Sequence, residues 1–188
     1  MEGMPTEAVC PKCDGTGWII REHAHLSGAE PCDCRLQGRS ARLEDRAQIP
    51  PLYRNASIDT ERGNFILPDD NPIARRALTD ALLTVKNYVR EFPNETRPGL
   101  LLIGEPGTGK THLAVAAMKK IIEKGFECLF CDYQNLLDRI HAGYDPNSNA
   151  SDKEAYRMAL DSEVLLLDDL GANRGSDWVE DTITTIIT

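Results

Sequence analysis

The sequence predicts an α/β fold in which a parallel β-sheet is flanked by helices. Two observations lead to this prediction. From residue 72 onward, apolar runs of strand length alternate with longer segments of helical periodicity, and the run GLLLIG at 99–104 opens directly into a glycine-rich loop and a further helix. Consecutive strands that are separated by helices are joined by crossovers, which makes the strands parallel and covers both faces of the sheet.

The N-terminal module, residues 1–35, is rich in cysteine and too short to hold a core unaided. A C-x2-C pair and a C-x-C pair are separated by 18 residues. Two such pairs supply the four thiolates of a tetrahedral zinc site, which predicts Zn²⁺ on Cys10, Cys13, Cys32 and Cys34. His23 and His25 lie in the gap as alternative ligands, and redox thiols or incidental cysteines are the competing interpretations. We expect so small a module to fold only when the metal binds.

Residues 36–71 are polar and are predicted to form a helix followed by an extended linker with the proline-containing stretches IPPLY and LPDDNP. Arginines at spacings of four, three and four align on one helix face: Arg35, Arg39, Arg42 and Arg46. Such a stripe can bind DNA phosphates or an acidic protein surface. The alternative is a solvated helix face with no binding role.

The rest of the chain, residues 72–188, carries the predicted α/β core. Its first helix is expected to be capped by Asn71, to have Pro72 in its first turn and to end at Pro93. The elements predicted after it are strand 99–104, helix 109–125, strand 127–133, helix 135–143, helix 153–162, strand 163–170 and a helix that packs Trp178, Val179, Ile183, Ile186 and Ile187 on the sheet.

A second C-x2-C pair, Cys128 and Cys131, falls inside a predicted strand. Residues three apart in a strand point to opposite faces, so these two thiols should diverge. We therefore predict two small core residues rather than a second metal or redox site.

The loop GEPGTGKT at 104–111 matches the pattern G-x-x-x-x-G-K-[ST] at every fixed position, between a predicted strand and a predicted helix. Glycines let several backbone N–H groups converge on phosphate oxygens, and the helix N-terminus adds its positive dipole end. Lys110 would supply charge to the β- and γ-phosphates, and Thr111 would ligate Mg²⁺. The predicted nucleotide-binding residues are Gly104, Glu105, Pro106, Gly107, Thr108, Gly109, Lys110, Thr111 and His112; the alternative is a glycine-rich turn without a ligand.

A second strand also ends in charged residues. In EVLLLDDLGA at 163–172, four apolar residues are followed by Asp168 and Asp169. A buried strand that ends in two acids is typical of a site that holds a cation. Asp168 would hold Mg²⁺, and Asp169 would orient and deprotonate an attacking water. Taken alone, the pair could equally be a solvated acidic turn.

These motifs together resemble one family. GEPGTGKTHLAVA, LLLDDLGA, the strand–helix pair CLFCDYQNLL between them and the Trp178 helix resemble the DnaC/IstB-like branch of AAA+ ATPases, over residues 50–188. The resemblance implies an α/β P-loop NTPase of AAA+ type with a small N-terminal zinc-binding module. It also implies ATP and Mg²⁺ as cofactors, catalytic roles for Lys110 and Asp169, and Tyr53 and Ile58 either near the adenine or as packing residues of the linker.

The resemblance implies a helicase-loader-like ATPase in DNA replication whose partner is a replicative DNA helicase contacted by the zinc module. An IstB-like helper of a transposase is the alternative. Homo-oligomerisation is expected, and contact with single-stranded DNA is possible. The family's later strand with a sensor residue, and its arginine finger, would follow Thr188, so we expect a core that is incomplete at the C-terminus. A nucleotide-switched binding module that does not hydrolyse ATP therefore stays open, and a small-molecule kinase fits poorly.

Composition and charge argue against several classes of protein. The net charge of −9 argues against a surface built wholly for nucleic acid, although it permits a local basic patch. No apolar run reaches the length of a membrane span, and the N-terminus lacks a basic region followed by an apolar stretch. We therefore expect a cytoplasmic protein without a membrane partner.

Overall fold

The computed structural model describes residues 10–23, 26–59, 64–68, 70–94, 96, 99–143, 150–171 and 177–187. In chain order the elements are β1 (Trp18–His23), β2 (Leu26–Pro31), α1 (Asp33–Arg46), a 3-10 turn (Pro51–Tyr53), α2 (Pro72–Glu91), α3 (Lys110–Glu123), β3 (Cys128–Asp132), α4 (Tyr133–Gly143), α5 (Ala150–Asp161), β4 (Val164–Asp168) and α6 (Asp177–Ile187). β1 and β2 pair antiparallel, and β3 and β4 pair parallel. Among these helices, none is long and apolar enough to cross a bilayer.

The helix α2 begins and ends where the sequence predicts. The side chain of Asn71 accepts a hydrogen bond from the backbone N–H of Ala74 at 3.0 Å, which satisfies one free donor of the first turn. The helix ends at Glu91, before Pro93. Its apolar face buries Val85 and Val89 against α3.

The parallel pair β3–β4 lies between two hydrophobic cores. The first core combines residues of α2, α3 and β3 with Ala47, Ile49, Ala56 and Ile58. The second core lies on the other face and includes residues of α4 and α5, with Trp178 and Ile186 of α6 packed against it. Ile187, predicted to pack on the sheet, is instead exposed.

The two strand cysteines separate as predicted. Cys128 is buried in the first core, whereas Cys131 packs against the second. Burial raises the pKa of the Cys128 thiol to about 12 and that of Cys131 to about 11. Both thiols are therefore protonated at neutral pH and behave as small apolar groups.

The prediction of a hydrogen-bonded strand at 99–104 is wrong. Within the described part of the chain, this segment joins neither β-sheet. It keeps the alternation of a strand, since Leu100 and Leu102 pack on the first core while Leu101 and Ile103 are exposed. Alternation follows from side-chain burial alone, but a strand also needs a neighbour that offers a ladder of backbone groups.

The helix α1 packs directly on the core. The guanidinium of Arg39 donates to the carbonyl of Gly125 at 3.1 Å, and the N–H of Phe130 in β3 donates to the carbonyl of Ala47 at 2.8 Å. Arg39, although exposed, is thus hydrogen-bonded to the turn after α3, and Arg42 and Arg46 are exposed as well. A role for the stripe in binding DNA stays a prediction.

The proposed boundary at residue 35 falls inside α1, and residues of 36–71 contribute to the first core. The division of the chain into 1–35, 36–71 and 72–188 also stays a prediction.

Candidate nucleotide site and zinc centre

The loop 104–109 leads into α3, and two of its glycines adopt backbone angles that favour glycine. Gly107 has φ +78°, and Gly109, the N-cap of α3, has φ +87°. Left-handed angles cost other residues about 1–2 kcal/mol. The glycine pattern is therefore explained by the path of the backbone, which turns the N-terminal N–H groups of α3 toward the loop.

Polar contacts within the loop fix its shape. The ammonium of Lys110 donates to the carbonyl of Gly104 at 2.8 Å and to that of Glu105 at 2.9 Å. The hydroxyl of Thr108 donates to the carbonyl of Glu105 at 2.8 Å. The charge of Lys110 therefore lies across the loop that its own backbone forms, beside the N-terminus of α3. A positive charge and a helix N-terminus at one place favour an anion.

The two sequence motifs meet in space. The hydroxyl of Thr111, in the first turn of α3, donates to the carboxylate of Asp168 at the end of β4, with 2.9 Å between the oxygens. Burial raises the pKa of Asp168; the Thr111 hydrogen bond opposes this effect, and the negative charge of Asp169 adds to it. A hydroxyl and a carboxylate side by side are hard oxygen donors of the kind that bind Mg²⁺.

Asp169 differs from its neighbour. It is exposed, and its backbone adopts the left-handed region with φ +55°. Non-glycine residues with positive φ are uncommon and concentrate at functional sites. The turn at Asp169 therefore leads the chain away from β4 and leaves this carboxylate accessible to water.

A further aromatic residue lies at the same helix end. The Phe65 and His112 rings lie with their centroids 5.8 Å apart. A Cβ built on Gly109 would lie 2.8 Å from Cε2 of Phe65, so the ring packs directly against Gly109. Phe65 carries no signal in the sequence, because a lone aromatic residue in a linker has no periodicity to mark it.

The two residues considered for the adenine pack elsewhere. Ile58 is buried in the first core, and Tyr53 packs against the same core. Of the two interpretations that the sequence left open, the structure favours packing.

The four N-terminal cysteines come together. Their sulfur atoms all lie within 4.8 Å of one another, with Cys10 and Cys32 3.9 Å apart and Cys13 and Cys34 3.4 Å apart. A tetrahedron with Zn–S bonds of about 2.3 Å has S–S edges of about 3.8 Å. The cluster therefore fits one zinc ion. Of the alternative ligands, His23 lies in β1 and His25 lies outside the described residues.

Hydrogen bonding lowers the pKa of one of these thiols, that of Cys13. Burial acts to raise the pKa of Cys13, but the Gly17 N–H, 3.3 Å from the sulfur, and the neighbouring thiols lower it to about 7. Hydrogen bonding to Cys13 raises the pKa of Cys34 to about 12. A bound zinc ion would favour the thiolate form of all four cysteines.

The strands β1 and β2, which the sequence analysis did not predict, form a hairpin between the two cysteine pairs. At its base the guanidinium carbon of Arg35 lies 4.6 Å from the centre of the Trp18 ring, a cation–π contact between α1 and the hairpin. One arginine of the predicted stripe therefore orients the zinc module on α1.

Comparison with known proteins gives consistent matches. Residues 82–181 match the sequence model of the IstB-like ATP binding protein family. A Bacillus subtilis relative, the uncharacterized protein YqaM, is 28% identical over 165 residues, which is 85% of this chain and 50% of the relative. The replicative helicase loader DnaC of Buchnera aphidicola (subspecies Acyrthosiphon pisum) is 27% identical over 146 residues, or 78% of this chain and 55% of the relative.

A solved structure matches as well. The crystal structure of the DnaC helicase loader superposes with a TM-score of 0.57 at 37% identity, covering 73% of this chain and 71% of that chain. The chain spans about half the length of the curated relatives that it matches.

Proposed function

Because this chain belongs to the IstB-like ATP-binding family, a branch of the DnaC/IstB-like AAA+ ATPases, we propose that it acts in DNA replication as a helicase-loader-like ATPase. One observation supports the site more than any other: the Thr111 hydroxyl lies 2.9 Å from the Asp168 carboxylate. Two motifs that are 57 positions apart meet at the end of the helix that carries the phosphate loop. Phosphate contacts and metal ligands are thus available at one place.

We assign phosphate binding, metal binding and proton transfer to different residues of the site. The N–H groups of the loop 104–111 and the ammonium of Lys110 would hold the phosphate chain. Thr111 and Asp168 would hold Mg²⁺, which when bound neutralises charge on the β- and γ-phosphate oxygens. Asp169 would accept a proton from the attacking water while the water oxygen bonds to the γ-phosphorus and the bond to the leaving ADP oxygen breaks.

The zinc centre has a structural part in this proposal. Four thiolates leave no open coordination position, which is typical of structural rather than catalytic zinc. We expect the purified protein to contain one zinc per chain and Cys34→Ser to lose it. Elemental analysis measures the metal content, and Cys131→Ser is the matched control because Cys131 packs against the second core. Equal zinc in both variants would contradict the assignment.

The proposed partner is a replicative DNA helicase, as the helicase-loader relatives suggest. The IstB-like family match favours a second candidate, an ATP-dependent helper of a transposase. Homo-oligomerisation and contact with single-stranded DNA belong to both proposals. A third candidate is a nucleotide switch that binds ATP without turnover, and the experiment must distinguish it from the other two.

The test is ATP turnover measured across a range of protein concentrations, with and without single-stranded DNA and the host's replicative helicase. Asp169→Asn is the blank, because it keeps the shape of the side chain and removes the proton acceptor. The proposal predicts turnover that rises more than linearly with concentration and responds to the helicase. ATP binding with turnover no faster than the blank would instead support the switch.

A further inference from the structure

The arginine stripe of α1 presents positive charge to the solvent. All four of its residues are exposed: Arg35, Arg39, Arg42 and Arg46. Within the described part of the chain, none of the four forms an ion pair. Their positive charge is therefore available to a partner that carries negative charge.

The acidic residues of α1 offset little of this charge, because lysines outside α1 neutralise most of them. The ammonium of Lys12 lies 2.9 Å from the carboxylate of Asp33, and that of Lys119 lies 3.1 Å from Glu44. Asp45 is the remaining carboxylate of the helix and is exposed. Four arginines beside one carboxylate without a lysine partner make this a basic surface on a protein whose net charge is −9.

An exposed aromatic ring extends this surface at the N-terminal end of α1. Trp18 of the hairpin is 45% exposed, although it has the largest side chain of the zinc module. The guanidinium carbon of Arg35, the first arginine of the stripe, lies 4.6 Å from the centre of the Trp18 ring. This contact holds the ring beside the stripe and leaves much of the indole open to solvent.

We propose that Trp18 and the arginine stripe form a binding surface for single-stranded nucleic acid. The guanidinium groups contact phosphates along a stripe about 16 Å long, and an unpaired base stacks on the indole. The exposed indole favours a nucleic acid over an acidic protein, which has no base to stack. It also favours a single strand over a duplex, whose bases are stacked on one another and out of reach.

This surface lies away from the nucleotide site. Arg39 donates to the carbonyl of Gly125, just past the C-terminal end of α3, whereas the phosphate loop leads into the N-terminal end of that helix. A helix of 14 residues is about 21 Å long. The inference rests on the proposed function for the source of the single strand, but the contact itself needs no ATP.

The first experiment measures binding of a labelled oligothymidylate to the full zinc-loaded chain by fluorescence anisotropy, without ATP and across a range of salt concentrations. Each phosphate contact on a single strand adds about 0.7 to the slope of log affinity against log salt. Arg42→Gln should therefore lower that slope by about 0.7 and weaken binding about fivefold at 0.1 M salt. Arg76→Gln is the charge-matched control, because Arg76 is an exposed arginine of α2.

A second variant tests the stacked base. Trp18→Ala should weaken binding at least about fivefold and leave the salt slope unchanged, because stacking involves no phosphate. Ile20→Ala is the matched control, since Ile20 lies on the same face of the hairpin and is 73% exposed. Zinc content equal to that of the wild type verifies that each variant keeps its module folded. In Trp178→Phe, where Trp18 is the only tryptophan, the oligothymidylate should quench the fluorescence.

Several outcomes would overturn the inference. Equal losses in Arg42→Gln and Arg76→Gln, or in Trp18→Ala and Ile20→Ala, would show that the surface has no specific part in binding. Affinity for polyglutamate or for a duplex as high as for the single strand would show that the surface recognises negative charge alone. A chain that turns over ATP but does not bind the oligothymidylate would overturn this inference and leave the proposed ATPase intact.

Discussion

Substitution of two glycines in the same loop separates backbone strain from a steric contact. Gly107 and Gly109 have similar positive φ angles, so alanine at either position incurs a backbone cost of about 1–2 kcal/mol. They differ in their surroundings, since a Cβ on Gly107 would meet nothing within 4 Å, whereas a Cβ on Gly109 would lie 2.8 Å from Cε2 of Phe65. The Phe65 ring would have to move by roughly 0.7 Å or more to restore an ordinary carbon–carbon contact.

Overpacking of this kind costs about 1–3 kcal/mol. We therefore expect Gly109→Ala to lower the free energy of unfolding by about 2–5 kcal/mol and Gly107→Ala by about 1–2 kcal/mol. Urea denaturation followed by circular dichroism measures both values.

The same comparison in a Phe65→Ala background completes the test. With the ring removed, Gly109→Ala should cost no more than Gly107→Ala, because only the backbone cost remains. Equal costs for the two glycine variants in the wild-type background would refute the assignment of the Phe65 contact. A cost for Gly109→Ala that is unchanged in the Phe65→Ala background would refute it as well.

Three further predictions concern the core and its charges. Lys124→Met should lower stability by about 1 kcal/mol, because the ammonium donates to three carbonyls at the end of α2; an unchanged urea midpoint would contradict this. Val85→Ala should cost about 2 kcal/mol, and Leu83→Ala on the exposed side of α2 close to nothing, since these side chains are 1% and 53% exposed. Hydrogen bonding to Lys120 lowers the pKa of Asp59, so Asp59→Asn should cost about 0.5 kcal/mol or less above about pH 4. That difference should vanish as the pH falls through the lowered pKa of the folded carboxyl; a difference that grows toward acid pH would contradict the ion pair.

The elements that the sequence predicted are those that local chemistry determines. Asn71 and Pro72 mark the start of α2 because capping and the first turn involve only neighbouring residues. The opposite burial of Cys128 and Cys131 follows from the period of a strand. The meeting of Thr111 and Asp168 also followed from sequence, since each motif lies at the end of an element that the parallel fold brings together.

The features that sequence missed depend on contacts between distant segments. Whether 99–104 forms a strand depends on a neighbour in the sheet, which the alternation of Leu101 and Ile103 does not reveal. The hairpin β1–β2 lies in a stretch without regular alternation, and its position follows from the cysteine cluster at its base. Phe65 packs against Gly109, and the residue before it, Asn64, accepts a hydrogen bond from the Ser57 N–H and donates one to the Asn55 carbonyl.

The central claim is that the loop 104–111 binds the phosphates of ATP, and equilibrium binding of Mg·ATP to wild type and to Lys110→Ala tests it most directly. Lys124→Met is the charge-matched control, because it removes one positive charge just past the opposite end of α3. The account predicts that Lys110→Ala loses affinity on the order of 100-fold while the control keeps it. Equal affinity in Lys110→Ala and wild type would contradict the account, because ATP would then bind elsewhere.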